Sequence, residues 1–173
     1  ARLRLWPKES PLMKPGSLIY PVDQRWFATR TWYDNEPVDG GTKILPTIYY
    51  HSGLDIGGSE RQVRVIAATD AVVVSAGDDV LPEYRLEGGV KSRYGEGNSP
   101  IAPRYDVVYL RDARGWFYRY SHLHKINDEI RPGRTIDQGT EIGLLGKQGS
   151  SGGWSHLHFE IKSRQPSGKW GTQ

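Results

Sequence analysis

His156-Leu157-His158-Phe159-Glu160-Ile161 carries the pattern from which the rest of the chain is best read. Side chains of a strand alternate between its two faces, so Leu157, Phe159 and Ile161 form a core-facing side. His156 and His158 then share the opposite face, about 7 Å apart. Two imidazoles so placed suit a division of labour in which one binds a metal and the other points at what the metal holds.

Working outward, similar short apolar runs recur between turn residues. Glu141 to Leu145 reads as a strand, set off from the His156 strand by Gly146 and by Gly149-Ser150-Ser151-Gly152-Gly153. Tyr105 to Leu110 and Trp116 to Tyr120 flank an Asp112-Ala113-Arg114-Gly115 turn and read as a hairpin. Val63, Val65 and Ala67 alternate and are followed, past Thr69-Asp70, by Ala71-Val72-Val73-Val74, a second hairpin expectation. No amphipathic helix of ten or more residues and no internal repeat is present.

Composition agrees with a loop-rich β protein: 173 residues, 36% hydrophobic, with 21 Gly and 11 Pro. That length supports one domain with a real core. Residues 1–49 hold Pro7, Pro11, Pro15, Trp6, Trp26 and Trp32, and proline at this density predicts an extended segment packing on the core. Residues 50–173 form the expected domain, interrupted at about 79–104 by an excursion with Pro82, Gly88-Gly89 and Pro100.

The formal charge of +3 favours anionic surroundings, but no basic helix or nucleic-acid module appears, so nucleic acid is not an expected partner. Without cysteine, any metal or nucleophilic site must use His, Asp and Glu. No apolar run is long enough to span a membrane as a helix, and no signal peptide is read in the chain.

His51-Ser52-Gly53-Leu54-Asp55 is the second informative stretch. In a fully extended strand His51 and Asp55 would stand about 13 Å apart, too far for one zinc with bonds near 2 Å. The chain must bend, which Gly53 permits, while Gly57-Gly58 disfavours a helix. His51, Asp55 and one imidazole of the 156/158 pair make three protein ligands and leave a position open, the arrangement of a catalytic zinc. His122, after the Tyr118-Arg119-Tyr120-Ser121 run, and the free member of the pair are then available to move protons or stabilise an oxyanion.

The stretches His51-Ser-Gly-Leu-Asp55-Ile, the Ala67 to Gly77 hairpin, Tyr120-Ser-His122-Leu, Gly139 to Gly146 and Ser155-His-Leu-His-Phe-Glu160 together resemble the M23, or lysostaphin-like, metallopeptidases. The resemblance runs from about Tyr50 to Lys162. It implies an all-β, mainly antiparallel fold with long loops walling a groove, one zinc per chain on His51, Asp55 and His158, and His122 and His156 as the catalytic pair. It assigns no role to His124. Ser155 departs from the family pattern, which commonly has Pro there, and Trp154 adds bulk beside the site.

The activity so implied is zinc-dependent endopeptidase action on peptide bonds of bacterial peptidoglycan cross-links, in a secreted, periplasmic or cell-envelope protein. Two alternatives are a metal-dependent polysaccharide lyase acting by β-elimination on a uronic-acid polymer and a non-catalytic cell-wall-binding module. A latent form is a further expectation, with Asp34, Asn35 or Glu36 as polar groups for the fourth metal position. Oligomeric state is not read from the sequence.

Overall fold

The computed structural model describes residues 18–24, 31–33, 37–39, 48–85 and 99–172. Their strands are, in chain order, β1 (Val22–Asp23), β2 (Thr31–Trp32), β3 (Pro37–Asp39), β4 (Ile48–Tyr50), β5 (Leu54–Gly57), β6 (Arg64–Ile66), β7 (Ala71–Ala76) and β8 (Asp79–Val80). They continue as β9 (Val108–Arg111), β10 (Phe117–Ser121), β11 (Leu123–Ile126), β12 (Thr135–Ile136), β13 (Glu141–Leu145), β14 (His156–Arg164) and β15 (Trp170–Thr172). A single 3-10 turn at Pro82–Tyr84 is the one helical element among the described residues.

The pairings are antiparallel throughout, so the all-β expectation is met. A nine-stranded sheet runs β12-β7-β9-β10-β14-β5-β2, with β15 on β14 and β8 on β7. A four-stranded sheet runs β1-β6-β13-β11, and β3 pairs with β4. The two larger sheets close over one core. Val65, Leu123, Ile142 and Leu145 come from the smaller sheet, and Ile56, Val73, Val108, Leu110, Tyr118, Tyr120, Leu157 and Phe159 from the larger. Each buried aliphatic or aromatic side chain there contributes about 1.5–3 kcal/mol by leaving water.

Alternation then places the remaining side chains of the large sheet on its outer face. Val74, Ile101, Val107, Tyr109 and Phe117 form a second apolar cluster there, with Val80, Tyr84 and Trp170 packed against it. Beside this cluster the same face turns polar. Arg119 stands opposite Tyr109 and Glu160, and Ser121 stands opposite His158, which in turn opposes Asp55.

The β9–β10 hairpin forms as read from the sequence. Asp112 builds its turn: Oδ1 accepts from the backbone N–H of Arg114 and Trp116, and Gly115 takes φ +83. The hairpin expected around Thr69-Asp70 does not form. Arg64–Ile66 joins the small sheet and Ala71–Ala76 the large one, so the chain crosses between layers at residues 67–70. Partners elsewhere take the backbone there, with Ala67 N donating to Thr140 O, Gly139 N to Ala67 O and Ala68 N to the Tyr120 hydroxyl. The hairpin lies one strand later, at β7–β8 around Gly77-Asp78.

The excursion expected at 79–104 begins with β8 and the 3-10 turn; residues 86–98 lie outside the described residues. Of the N-terminal segment, β1 pairs with β6, β2 with β5, and Leu18 and Val22 pack on the core. Asp34, Asn35 and Glu36, like Trp6 and Trp26, lie outside the described residues.

Candidate metal and catalytic site

Three donor atoms converge at one edge of the β5–β14 pair. His51 Nε2 lies 3.1 Å from Asp55 Oδ1, His158 Nδ1 lies 2.7 Å from the same oxygen, and the two nitrogens are 3.1 Å apart. The close approach of His51 and Asp55 depends on Gly53, which turns the chain at φ +91 immediately before β5. A Cβ at Gly53 would lie 2.4 Å from the Phe159 carbonyl oxygen, so the bend is also pressed flat against β14. Asp55 reaches His158 because the two are directly opposed in the β5–β14 ladder.

Each imidazole is oriented from behind. His51 Nδ1 donates to the Tyr33 carbonyl at 3.0 Å, leaving Nε2 to face the triangle. His158 Nε2 donates to Glu160 Oε1 at 2.7 Å, leaving Nδ1 to face it. Two nitrogen lone pairs and a carboxylate oxygen therefore point at one another, an arrangement that repels itself unless a cation lies among them. A tetrahedral zinc with bonds of about 2.0–2.1 Å needs donor separations of roughly 3.3 Å, so the triangle fits after opening by a few tenths of an ångström. Burial works against a charge on His51, but the hydrogen bonds to Asp55 and Tyr33 outweigh it and raise its pKa.

Glu160 anchors this arrangement. Its Oε1 also accepts from Ser52 Oγ at 2.9 Å and Arg119 Nη1 at 3.1 Å, and Lys162 Nζ lies 3.2 Å from Oε2. Burial opposes its ionisation, yet His158, Arg119 and Lys162 hold the carboxyl well below the usual carboxylate range. Burial likewise opposes the charge on Asp55, and the hydrogen bonds of His158 and His51 overcome it.

His122 and His156 face each other beside the triangle, ring centroids 4.6 Å apart. His156 Nδ1 donates to the Trp154 carbonyl at 3.1 Å, and its Nε2 lies 3.5 Å from Asp55 Oδ2. The Trp154 ring stacks on His156 at 3.9 Å and 18°, which is the bulk expected there from the sequence. Burial pushes the His156 imidazole down to about 4, so it is neutral at physiological pH. His122 Nδ1 donates to the Gln148 carbonyl at 2.7 Å, so its Nε2 is left as the acceptor. Arg104 Nη2, 3.5 Å from the same Nδ1, is a second donor and adds no hydrogen bond.

All five residues singled out in the sequence, His51, Asp55, His122, His156 and His158, are thus brought together, while His124 lies on β11 in the small sheet. Sequence reasoning missed Glu160, Arg119 and Ser52. Glu160 had a signal, its place two residues from His158 on the same strand face; the carbonyls of Tyr33, Gln148 and Trp154 had none.

Comparison with known proteins bears on the fold and the family. The catalytic domain of lysostaphin from Staphylococcus simulans, an antimicrobial peptidase, has 24% identity and a TM-score of 0.53, covering 83% of this chain and 86% of that one. Csd3 of Helicobacter pylori has 19% identity and a TM-score of 0.53, covering 90% of this chain. A zinc-containing peptidase from Vibrio cholerae has 19% identity and a TM-score of 0.53 over 88% of this chain. This chain spans 33% of the Helicobacter protein and 37% of the Vibrio one. These likenesses establish a lysostaphin-like fold. The profile of Peptidase family M23 matches residues 49–169, and the chain belongs to that family.

Proposed function

We propose that the protein is a zinc-dependent endopeptidase, with one zinc per chain held by His51, Asp55 and His158, and with His122 and His156 as its catalytic residues. The observation that carries this reading is the triangle of His51 Nε2, Asp55 Oδ1 and His158 Nδ1, each imidazole turned inward by a hydrogen bond from behind. Bound zinc supplies a Lewis acid that polarises a carbonyl and acidifies water.

The chain's own groups do the rest. His156 spends Nδ1 on the Trp154 carbonyl, so its Nε2 is turned to the site to orient the attacking water or hydrogen-bond the reacting oxygen. His122 presents Nε2 from the other side, with Nδ1 committed to Gln148, and is placed to exchange a proton with the reacting oxygen or the leaving amine. Both rings are fixed before substrate arrives, so little reorganisation is needed at the transition state.

For substrate we propose the peptide cross-links of bacterial peptidoglycan, and for location the outside of the cell or its envelope. Support comes from the family, from the antimicrobial character of the Staphylococcus peptidase of similar fold, and from a formal charge of +3 that suits an anionic wall. The assignment to a peptidase family weighs against the lyase and binding-module readings. The peptidase domain is taken to begin at about residue 50, with β1 and β2 of the preceding segment paired to its β6 and β5.

The test is metal content together with peptide release from purified cell walls, for the wild type and His156→Ala. One zinc per chain in both, with release only by the wild type, is the expected result. Absence of zinc, or full activity in the variant, overturns the assignment.

A further inference from the structure

His122 has a backbone as well as a ring to be held. Its φ is +67, a left-handed conformation that is strained for a residue other than glycine and persists where the surroundings enforce it. The enforcing contacts come from Asp106. Its Oδ2 accepts from the His122 N–H at 3.1 Å, and its backbone carbonyl accepts from the Leu123 N–H at 3.2 Å. The Asp106 side chain is fully buried, and its charge is matched by Arg104, which donates through Nε to Oδ1 and through Nη2 to Oδ2 at 2.7 Å.

The same short segment also holds the acceptor of the His122 ring. Gln148, whose carbonyl takes the Nδ1 proton, precedes Gly149. Gly149 N donates to the Tyr105 hydroxyl at 2.9 Å. Gly149 itself, at φ +61, rests directly on the ion pair: a Cβ there would lie 2.6 Å from Arg104 Nη2 and 2.9 Å from Asp106 Oδ2. The backbone of His122 and the carbonyl that selects its tautomer are therefore both referenced to residues 104–106.

We propose that Arg104, Tyr105 and Asp106 form a clamp that sets the tautomer and direction of the His122 imidazole, and that they are positioning residues for the hydrolysis. The proposal rests on the peptidase reading above for its kinetic consequence and on the geometry alone for its structural one. With Nδ1 held by Gln148, the ring turns Nε2 toward the site, its centroid 4.6 Å from His156 and 6.1 Å from His158. Loosening either hold leaves the metal triangle untouched, because His51, Asp55 and His158 are braced by Tyr33 and Glu160 instead.

The experiment uses the full chain loaded with zinc, as wild type, Asp106→Asn, Asp106→Ala and Tyr105→Phe. Three quantities are read: zinc per chain, the 15N–1H ring signals of the histidines, and kcat and KM for peptide release from cell walls. Tyr105→Phe removes one exposed hydroxyl, so it keeps the test open should Asp106→Ala fail to fold. Zinc stoichiometry should stay at the wild-type value. The Nδ1–H signal of His122, assigned by its loss in His122→Ala, should broaden or exchange faster in Tyr105→Phe and Asp106→Asn. kcat should fall on the order of 10–100-fold in Asp106→Asn and less in Tyr105→Phe, with KM little changed, because small misplacement of a catalytic group costs turnover. Asp106→Asn should retain more activity than Asp106→Ala, since its amide oxygen still accepts from the His122 N–H. Unchanged His122 ring signals in Tyr105→Phe and Asp106→Asn overturn the clamp. A wild type that releases no peptide while the ring signals shift as expected overturns the peptidase reading and leaves the clamp standing.

Discussion

His158 Nε2 lies 2.7 Å from Oε1 of Glu160, two residues along the same face of one strand, and that oxygen also receives Ser52 and Arg119. A single carboxylate thereby ties the residue after His51, the centre of β10 and the imidazole of β14 to one point. Glu160→Gln keeps the size but removes the charge and one acceptor, and a carboxylate behind a histidine ligand is worth about 10–100-fold in metal affinity. Competition with a zinc chelator should show a loss of that order; an unchanged dissociation constant would remove Glu160 from the account of metal binding.

Metal removal should lower thermal stability, because an ion that binds only the folded chain stabilises it by about 2.7 kcal/mol at a free concentration of 100 Kd. Zinc added to stripped wild type should raise the melting temperature, and the same addition to Asp55→Ala should not. An equal rise in both proteins would place the ion somewhere other than the triangle.

Gly53→Ala tests the bend. The residue holds φ +91, and the added methyl would meet the Phe159 carbonyl oxygen at 2.4 Å and Glu160 Cγ at 2.6 Å. Backbone strain alone costs on the order of 1–3 kcal/mol. A lower denaturation midpoint together with weakened zinc binding is expected, the second because His51 and Asp55 are separated. Wild-type values for both would mean that the bend does not need glycine.

Acid should act through Asp106. Burial opposes its ionisation, but His122 and Arg104 outweigh burial and hold the carboxyl below its ordinary value of 3.8. A carboxylate with a lowered folded pKa contributes stability that is complete above the unfolded value and is lost as pH falls through the folded one. Asp106→Asn should therefore be less stable than the wild type at pH 7, and the gap should narrow as pH drops below about 4. Urea midpoints at pH 7 and pH 3 read this directly, and a gap that stays constant contradicts it.

Much of this was legible in the chain. The alternation in residues 156–161 and the Asp112–Gly115 turn each rest on local rules, side-chain period and turn chemistry, and both appear where those rules put them. The Thr69-Asp70 stretch shows the limit of such rules. An alternating run and a continuous apolar run separated by a short polar link look like a hairpin, yet here the link carries the chain from one sheet to the other. Nothing local distinguishes the two, because the choice depends on which distant strand, β9 or β13, offers the better buried partner.

By itself the sequence determined the all-β class, through its glycines, prolines and short alternating runs, and it singled out His51, Asp55, His122, His156 and His158 as the candidate group. Only the tertiary structure decided how those five side chains are held: which nitrogen of each imidazole faces inward, and that Glu160 and the carbonyls of Tyr33, Gln148 and Trp154 decide it. The reason is physical. A side chain's type is written at its own position, whereas the hydrogen bond that selects a tautomer comes from an acceptor whose position is set by strand register and loop path, and any residue type supplies a carbonyl.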